Sequence, residues 1–269
     1  MKKDASAAAK EIRKSVITMC HKSKSSHVGT ALSCVDILSV LYFKIMNIDP
    51  DNPNHPERDR FILSKGHGAS ALYAALAHRG FFPVPMLDKF YSDGSRMAGH
   101  PFLNCMPGVE ASTGSLGHGL PIACGISYAG KNTGKKYRVF VLLSDGECDE
   151  GSVWEAAMFA GFHKLKNLTA IIDYNKIQSF GAVKEVLDLE PLSDKWESFG
   201  WAVREINGHD MGEIENALMN VPFQEDKPSL IIAHTTKGKG VSYMENRVEW
   251  HYKSPDNDEY KKAMEEMEK

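Results

Sequence analysis

Residues 137–181 read YRVFVLLSDGECDEGSVWEAAMFAGFHKLKNLTAIIDYNKIQSFG, and this stretch decides the fold. An apolar run over residues 139–143 leads into SDGE, and a helical pattern follows over about residues 152–163. A second apolar run, over residues 168–172, leads into DYN. Strand, helix and strand in this order predict one βαβ unit, whose two strands are parallel neighbours joined by a right-handed crossover.

Both predicted strands end in a side chain with an oxygen ligand, Asp145 after the first and Asn175 after the second. Ligands of open parallel sheets collect at the carboxyl ends of the strands, so we expect the two oxygens to share a crevice. A carboxylate and an amide oxygen suit a hard cation such as Mg²⁺, which usually also takes phosphate oxygens. The competing interpretation is that Asp145 and Gly146 form only a turn and that Asn175 is a helix cap.

The rest of the chain alternates helical and strand patterns. This alternation predicts an α/β fold, namely a doubly wound, mostly parallel sheet with helices on both faces. No repeat or linker divides residues 1–269, so we expect a single domain. The further predicted strands lie at residues 60–64, 201–206 and 229–234, and the further helices at residues 4–22, 34–46, 69–80, 120–129, 193–199 and 211–221 and from about residue 256.

The composition is that of an ordinary globular protein, with 42% hydrophobic and 25% charged residues. A net charge of −3 gives no indication of nucleic acid or an anionic membrane as a partner. The apolar runs are too short to span a bilayer, and the N-terminal residues lack the apolar core of a signal peptide. The five cysteines show neither CxxC spacing nor a dense framework, so we expect reduced, buried thiols in a cytoplasmic protein.

Histidines recur beside small residues in predicted loops: His27 in SSHVG, His67 in KGHGA, His100 in GHP and His118 in LGHG. Such a histidine is by itself more often a cap or a packed polar residue than a catalytic group. His67 is the best placed, because its glycine-flanked loop follows a predicted strand and begins a helix, where an anionic diphosphate can bind. The glycines of TGSLGHG open a helix in the same way, although this loop is neither a Walker sequence nor a Rossmann fingerprint.

Taken in order, seven segments resemble the motifs of transketolase, a thiamine-diphosphate-dependent family. Ser144 departs from the family's metal-diphosphate motif, which begins with glycine, and Ser26 and Val28 replace the glycine and proline that flank the histidine of SGHPG. His118 has no assigned role. The matching segments are SSHVG at 25–29, SKGHGAS at 64–70, AGHP at 98–101, STGSLGHGL at 112–120, SDGE at 144–147, DYNKI at 173–177 and VEWHYKSP at 248–255.

The resemblance implies a role for each matching position. A divalent metal, Mg²⁺ or in its place Ca²⁺ or Mn²⁺, would be bound by Asp145, Asn175 and the backbone carbonyl of Ile177. The hydroxyls and protons of the sugar would be handled by His27, His100 and His251. The thiamine diphosphate would contact His67, Gly114, Ser115, Leu116, Gly146, Glu147, Asn175 and His251.

The resemblance stops short of the second thiamine domain and the C-terminal domain of full-length transketolases. It therefore implies the N-terminal subunit of a split transketolase, which transfers a two-carbon ketol unit between sugar phosphates. A C-terminal partner subunit would carry the activating glutamate, which Glu150 meets across the subunit boundary, in a heterotetramer of two N-terminal and two C-terminal subunits. We expect exposed apolar residues from the second half of the loop region, residues 81–119, to form the interface.

Two other interpretations stay open. One is a subunit of a related thiamine-diphosphate enzyme, either deoxyxylulose-phosphate synthase or a 2-oxoacid dehydrogenase E1. The other is a non-catalytic, cofactor-binding protein. The segments GHP and STGSLGHGL favour transketolase over the first, and the intact pair of Asp145 and Asn175 favours an enzyme over the second.

Overall fold

The computed structural model describes residues 4–268, and a single parallel sheet lies at its centre. The strands are β1 (Arg60–Leu63), β2 (Val139–Ser144), β3 (Leu168–Tyr174), β4 (Ala202–Asn207) and β5 (Ser229–His234). Their order across the sheet is β1-β2-β3-β5-β4, and every neighbouring pair is parallel. The strands β2 and β3 are the predicted neighbours, and Ser144 lies opposite Asp173 in their register.

Helices connect the strands and cover the sheet. The longer helices are α1 (Ala5–Ser23), α4 (Ala69–Arg79), α5 (Gly119–Asn132), α6 (Gly151–Phe162), α9 (Met211–Met219) and α10 (Asn257–Glu268). The shorter helices are α2 (Val28–Ser33), α3 (Val35–Val40), which continues as the π-helical turn Leu41–Ile45, α7 (Val183–Val186) and α8 (Leu192–Ser198).

The strands β1, β2, β3 and β5 are buried on both faces, whereas the edge strand β4 is largely exposed. Successive side chains of a strand point to opposite faces, so Phe140 and Leu142 join one apolar cluster while Val141 and Leu143 join another. Helices α1, α3, α4, α9 and α10 contribute to the first cluster, and α5, α6 and α8 contribute to the second. The structure therefore confirms the predicted doubly wound α/β fold, and it explains why the sequences of the four buried strands are largely continuous apolar runs.

The segment before α3 is not the polar loop that the sequence predicts ahead of a helix over residues 34–46. Residues Val28–Ser33 of this segment form the helix α2, and both α2 and α3 are buried. The Ser33 hydroxyl donates to Asp173 on β3, and the Thr30 carbonyl accepts from the Lys65 ammonium at 3.0 Å. The prediction was wrong here because partners far away in sequence satisfy these polar groups, which allows them to be buried.

An aromatic surface lies on the outer side of α5 and α6. The ring centroids of Tyr128 and Phe159 are 5.7 Å apart, and the imidazole of His163 contacts both of these rings and that of Phe162. Phe162 is 82% exposed. We call these four residues the α5–α6 patch. Exposed apolar clusters of this kind mark interaction surfaces, and this one lies outside the loop region where the sequence led us to expect an interface.

Within the described part of the chain, no helix has both the length and the apolar character needed to cross a membrane. The five cysteines are buried and carry free thiols. Burial raises the pKa of the Cys20 thiol to about 11, which makes it unreactive.

Candidate functional site

A cavity of about 210 Å³ lies beside the carboxyl ends of β2 and β3. The segments that follow these strands line it with Asp145, Gly146, Asn175 and Ile177. The other lining residues are His27, Thr30, His67, His100, Gly114, Leu116, Ser144, Gln178, Ser179, Lys237, His251 and Tyr252. The fold thus brings all but two of the predicted site residues to one place.

The three predicted metal ligands meet at a tight turn after β3. The Lys176 amide donates to Asp145 Oδ2 at 2.5 Å, and the Ile177 amide donates to Asn175 Oδ1 at 3.1 Å. Lys176 has a φ of 68°, in the left-handed region that residues other than glycine rarely adopt. Backbone strain of this kind concentrates at functional sites. Here it accompanies a turn that places Asp145, Asn175 and Ile177 on one cavity.

These donors fit a hard cation in their chemistry, since all of them are oxygens. Within residues 4–268, no group of three or more His, Cys, Asp or Glu side chains is arranged to hold a metal ion. A metal beside Asp145 would therefore depend on Asn175, on the Ile177 carbonyl and on oxygens from a ligand. Burial, and then the nearby Asp173, raise the pKa of Asp145 to about 6, so a bound cation would relieve an unfavourable buried charge.

Four imidazoles meet in the cavity. The ring centroid of His27 lies 5.4, 5.9 and 5.1 Å from those of His67, His100 and His251. Burial, followed by His100 and Lys237, lowers the pKa of His27 to about 4, and burial followed by Lys237 lowers the pKa of His251 to about 3. These imidazoles are neutral near pH 7, and a neutral imidazole can both donate and accept a hydrogen bond. The cluster can therefore hold hydroxyl groups and move protons.

The two departures from the motif around His27 leave this residue in the cavity. Its amide donates to the His251 carbonyl at 2.8 Å, and its φ of 74° is left-handed. The Ser26 hydroxyl lies 3.1 Å from Nδ1 of His27, and Val28 begins α2 with a fully buried side chain. Ser26 and Val28 thus support the position of the imidazole in place of the family's glycine and proline.

Sequence reasoning missed Lys237, which lines the cavity and is 1% exposed. Its ammonium donates to the Ile177 carbonyl at 2.9 Å and lies 3.0 Å from Nδ1 of His251. Burial, and then Lys65, lower the pKa of Lys237 to about 8. A signal for it was present, because Lys237 lies in the TTKGKG loop at the carboxyl end of a predicted strand, where ligands bind.

Glu147 was predicted to contact the cofactor, but it does not line the cavity. Its side chain is fully buried and accepts hydrogen bonds from the Ser64 hydroxyl and from the amides of Gly117, at 2.9 Å, and Ser144, at 3.3 Å. These bonds connect the ends of β1 and β2 with the glycine-rich loop before α5. The position of Glu147 therefore favours a role in holding that loop.

The glycine-rich loop presents its residues unequally. Gly114 and Leu116 line the cavity, whereas Ser115 between them is exposed. Gly114 has a φ of 135°, and a Cβ there would lie 2.8 Å from the His100 ring, so only glycine fits. Glu150 is exposed immediately before α6, where a second chain could reach it.

The fold and the cavity together define a class of protein. A parallel α/β domain presents oxygen donors, neutral imidazoles and an ammonium at the carboxyl edge of its sheet, which suits a metal-bound diphosphate cofactor. The chain belongs to the transketolase family, because residues 4–267 match the family described as transketolase, thiamine diphosphate binding domain.

Two curated relatives match almost the whole chain. It is 44% identical over 255 residues to one subunit of the apulose-4-phosphate transketolase of Phocaeicola vulgatus, a match that covers 95% of this chain and 90% of the relative. It is 43% identical over 261 residues to a 6-deoxy-6-sulfo-D-fructose transketolase subunit of Clostridium sp., a match that covers 97% of this chain and 95% of the relative. These matches confirm the predicted N-terminal subunit of a split, ketol-transferring, thiamine-diphosphate-dependent transketolase.

Solved structures agree with this family assignment. The transketolase from Leishmania mexicana superimposes on the whole of this chain with a TM-score of 0.94 and 28% sequence identity. This chain spans 42% of the length of that enzyme. The similar fold therefore corresponds to one part of a longer transketolase.

Proposed function

We propose that this chain and a C-terminal partner subunit together transfer a two-carbon ketol unit from a ketose phosphate to an aldose phosphate. The observation that carries the proposal is the single cavity in which Asp145 and Asn175 lie with the four imidazoles. In this proposal the whole chain acts as one diphosphate-binding domain, and the pyrimidine-type and C-terminal domains belong to the partner. Bound thiamine diphosphate would act as the electron sink of the reaction.

Asp145, Asn175 and the Ile177 carbonyl are the proposed ligands of Mg²⁺. Gly146, His67 and Lys237 are the proposed contacts of the diphosphate, since they line the same cavity. Lys237 adds a positive charge that a diphosphate would neutralise, and it donates hydrogen bonds that phosphate oxygens accept well. Gly114 and Leu116 would line the cofactor's rings.

His27, His100 and His251 are the proposed proton carriers for the sugar. Their rings lie together around His27, and the cavity is open enough that His100 is exposed. Each of the three has a pKa lowered first of all by burial, so each is neutral near pH 7 and can accept a hydrogen bond from a sugar hydroxyl through its unprotonated ring nitrogen. His67 is more deeply buried and serves the diphosphate instead.

The partner subunit would supply the activating glutamate and cover the α5–α6 patch. The patch and the cavity are connected, because Ser152 at the start of α6 donates to the Gly117 carbonyl in the glycine-rich loop at 2.8 Å. Glu150 is exposed directly before α6 and would meet the partner's glutamate in a heterotetramer of two N-terminal and two C-terminal subunits. The free, buried thiols support a cytoplasmic location for this complex, where cysteines stay reduced.

The sugars in the names of the two relatives differ. The two relatives are about equally similar to this chain but carry the names of different sugars, apulose 4-phosphate and 6-deoxy-6-sulfo-D-fructose. Overall similarity therefore does not select one donor. We propose sugar phosphates as the substrate class in carbohydrate metabolism, with selection shared between this cavity and the partner.

The proposal is tested by co-purifying the chain with its candidate partner and assaying ketol transfer from xylulose 5-phosphate with thiamine diphosphate and Mg²⁺. Activity is expected only when both subunits are present. Asp145→Ala and Asn175→Ala should each weaken cofactor binding by about tenfold or more, because a bond to a charged group contributes about 1.5–3 kcal/mol. Unchanged binding in both variants would refute the metal assignment.

Asn207→Ala is a matched control for Asn175→Ala. Asn207 is the last residue of β4 and Asn175 is the first residue after β3. Each accepts a hydrogen bond from the amide two residues later, at 3.0 Å for Asn207 and 3.1 Å for Asn175. Asn207 ends the edge strand β4 and does not line the cavity. Cofactor binding should be unchanged in this variant, so a similar loss in both would indicate a general effect on strand ends.

Phe162→Glu tests the partner surface. We expect the affinity for the partner subunit to fall by at least about tenfold, since exposed aromatic residues dominate interface energies. The free energy of unfolding should change by less than about 0.5 kcal/mol, because the side chain is 82% exposed. Met219→Glu on α9 is the control, since Met219 is 68% exposed and α9 packs on the face of the sheet opposite to α5 and α6. Equal losses of partner binding in the two variants would rule out the patch.

A further inference from the structure

We infer that Lys237 makes metal binding dependent on the diphosphate. Its ammonium donates to the Ile177 carbonyl and opposes a divalent cation there until an anion lies between the two charges. The inference rests on the proposed function, because it takes Asp145, Asn175 and Ile177 as the metal ligands. It concerns the order and coupling of binding, which the ligand assignment alone leaves open.

The position of the ammonium is set by the fold. The Lys237 carbonyl accepts from the Asn246 amide at 2.9 Å, and the next residue, Gly238, donates its amide to the Gly29 carbonyl at 2.8 Å. The side-chain stem runs so close to Gly29 that a Cβ on this glycine would lie 3.2 Å from Cγ of Lys237. The side chain is therefore packed against α2, and its charged end has little freedom to turn away.

The two buried lysines of the site differ in their partners. Lys65 forms an ion pair with Asp173, and both side chains are fully buried. Lys237 has a carbonyl and an imidazole as its hydrogen-bond partners, and within residues 4–268 no carboxylate forms an ion pair with it. Its charge is thus available to an anion in the cavity.

The carbonyl that Lys237 holds is one of the proposed metal ligands. A divalent ion bound to this oxygen at about 2.1 Å would lie within about 5 Å of the ammonium, which is 2.9 Å from the same oxygen. Two cations at that separation in a buried site repel each other strongly. A diphosphate that reaches both cations removes the repulsion, so metal and cofactor should bind far better together than either does alone.

The test is a titration of this chain with Mn²⁺ at one fixed pH without cofactor, followed by the paramagnetic resonance signal of the free ion. Lys237→Met should bind Mn²⁺ at least about tenfold more tightly than the wild type, because the repelling charge is gone. The same variant should bind thiamine diphosphate, at saturating Mn²⁺, at least about tenfold more weakly. A role in folding alone would weaken both, and a role in phosphate contact alone would leave Mn²⁺ binding unchanged; either result overturns the inference.

Lys239→Met is the matched control. It lies two residues further along the same loop, with its ammonium 3.6 Å from Glu245, and it does not line the cavity. Neither affinity should change in this variant. Lys237→Arg keeps the positive charge and should keep Mn²⁺ binding weak, so tighter binding in this variant would overturn the inference.

Two further measurements separate the possible failures. The double variant Asp145→Ala, Lys237→Met should lose the gain in Mn²⁺ binding, and retention of the gain would place the ion elsewhere and overturn the inference. If circular dichroism shows that Lys237→Met is unfolded, Lys237→Gln takes its place with the same expectations. A wild-type complex that binds no thiamine diphosphate refutes the proposed function itself, whereas the Lys237 variants decide the coupling.

Discussion

The buried aspartates of two neighbouring strands, Asp145 after β2 and Asp173 in β3, differ in how their charge is balanced. Both are almost completely buried, with exposures of 1% and 0%. Asp173 accepts hydrogen bonds from the hydroxyls of Ser33 and Thr235 and forms an ion pair with Lys65. Burial alone would raise the pKa of Asp173, but Lys65 and these bonds hold it below its ordinary value.

The negative charge of Asp145 is balanced by fewer and weaker partners. Its carboxylate accepts from two backbone amides, those of Gly146 at 2.7 Å and Lys176 at 2.5 Å. Burial and the proximity of Asp173 raise its pKa to about 6. The difference teaches that the charge of Asp173 is neutralised within the fold, whereas the charge of Asp145 is available to a ligand. A strongly perturbed acid in a cavity is the usual sign of a functional group.

The largest expected effect is a loss of folding stability when the charge of Asp173 is removed. Asp173→Asn leaves the Lys65 ammonium buried without a negative partner, which should lower the free energy of unfolding by about 3–5 kcal/mol. Chemical denaturation at neutral pH measures this change. A loss below about 1 kcal/mol would show that the buried charge of Lys65 does not need Asp173 as its partner.

Asp145→Asn should act in the opposite direction on the cofactor-free chain. The rise in the pKa of Asp145 from 3.8 to about 6 means that its charged form costs about 3 kcal/mol at neutral pH. Removing the charge should therefore raise the free energy of unfolding at pH 7. The gain should be about 1–3 kcal/mol, because asparagine keeps only part of the hydrogen bonding of the carboxylate. Binding of the metal-bound cofactor should become weaker at the same time.

The size of this second effect depends on pH. A buried acid with a raised pKa costs nothing below its unfolded pKa of 3.8 and its full amount above its folded pKa of about 6. The advantage of Asp145→Asn should therefore shrink between pH 6 and pH 4. Denaturation curves of both proteins over this range test the linkage, and a constant difference would show that the effect has another origin.

A smaller effect is expected on cofactor affinity at saturating Mg²⁺. Below pH 6 the affinity of the wild type should fall by up to about tenfold per pH unit, because the metal needs the ionised form of Asp145. His27 and His251, with pKa values of about 4 and 3, stay neutral over most of this range. Protonation of the phosphate near pH 6 contributes equally in Asp145→Asn, so the difference in slope belongs to Asp145. Affinity that rises on acidification would contradict this explanation and point to the histidines.

Much of the fold followed from local patterns. Continuous apolar runs predicted the four strands that are buried on both faces, and the regular alternation of strands with helices predicted the parallel topology. The edge of the sheet that carries the site could also be predicted from the sequence. Side chains that follow parallel strands meet at one edge, as Asp145 and Asn175 do. Residues 25–33 were the exception, since their polar side chains are buried by partners that no local pattern reveals.

The roles of individual residues within the site were harder to predict from the sequence. Lys237 was not predicted as a site residue, although its loop follows a predicted strand. Glu147 was predicted to contact the cofactor, whereas its carboxylate accepts a hydrogen bond from the glycine-rich loop. In both cases the role depends on which atoms lie within about 3 Å of the charged group. Such distances follow from the packing of several elements and not from the spacing of residues along the chain.

The sequence alone was enough to predict the strands, the longer helices, the family and the edge of the sheet where Asp145 and Asn175 meet. Hydrophobic periodicity and strand ends are local properties, and a one-dimensional pattern carries them. Only the tertiary structure decided which aspartate keeps an available charge, since Asp145 and Asp173 both follow apolar runs. Lys65 on the loop after β1 neutralises Asp173 and not Asp145. Electrostatic balance in a buried site depends on distances of a few ångströms between segments far apart in sequence, and folding alone sets those distances.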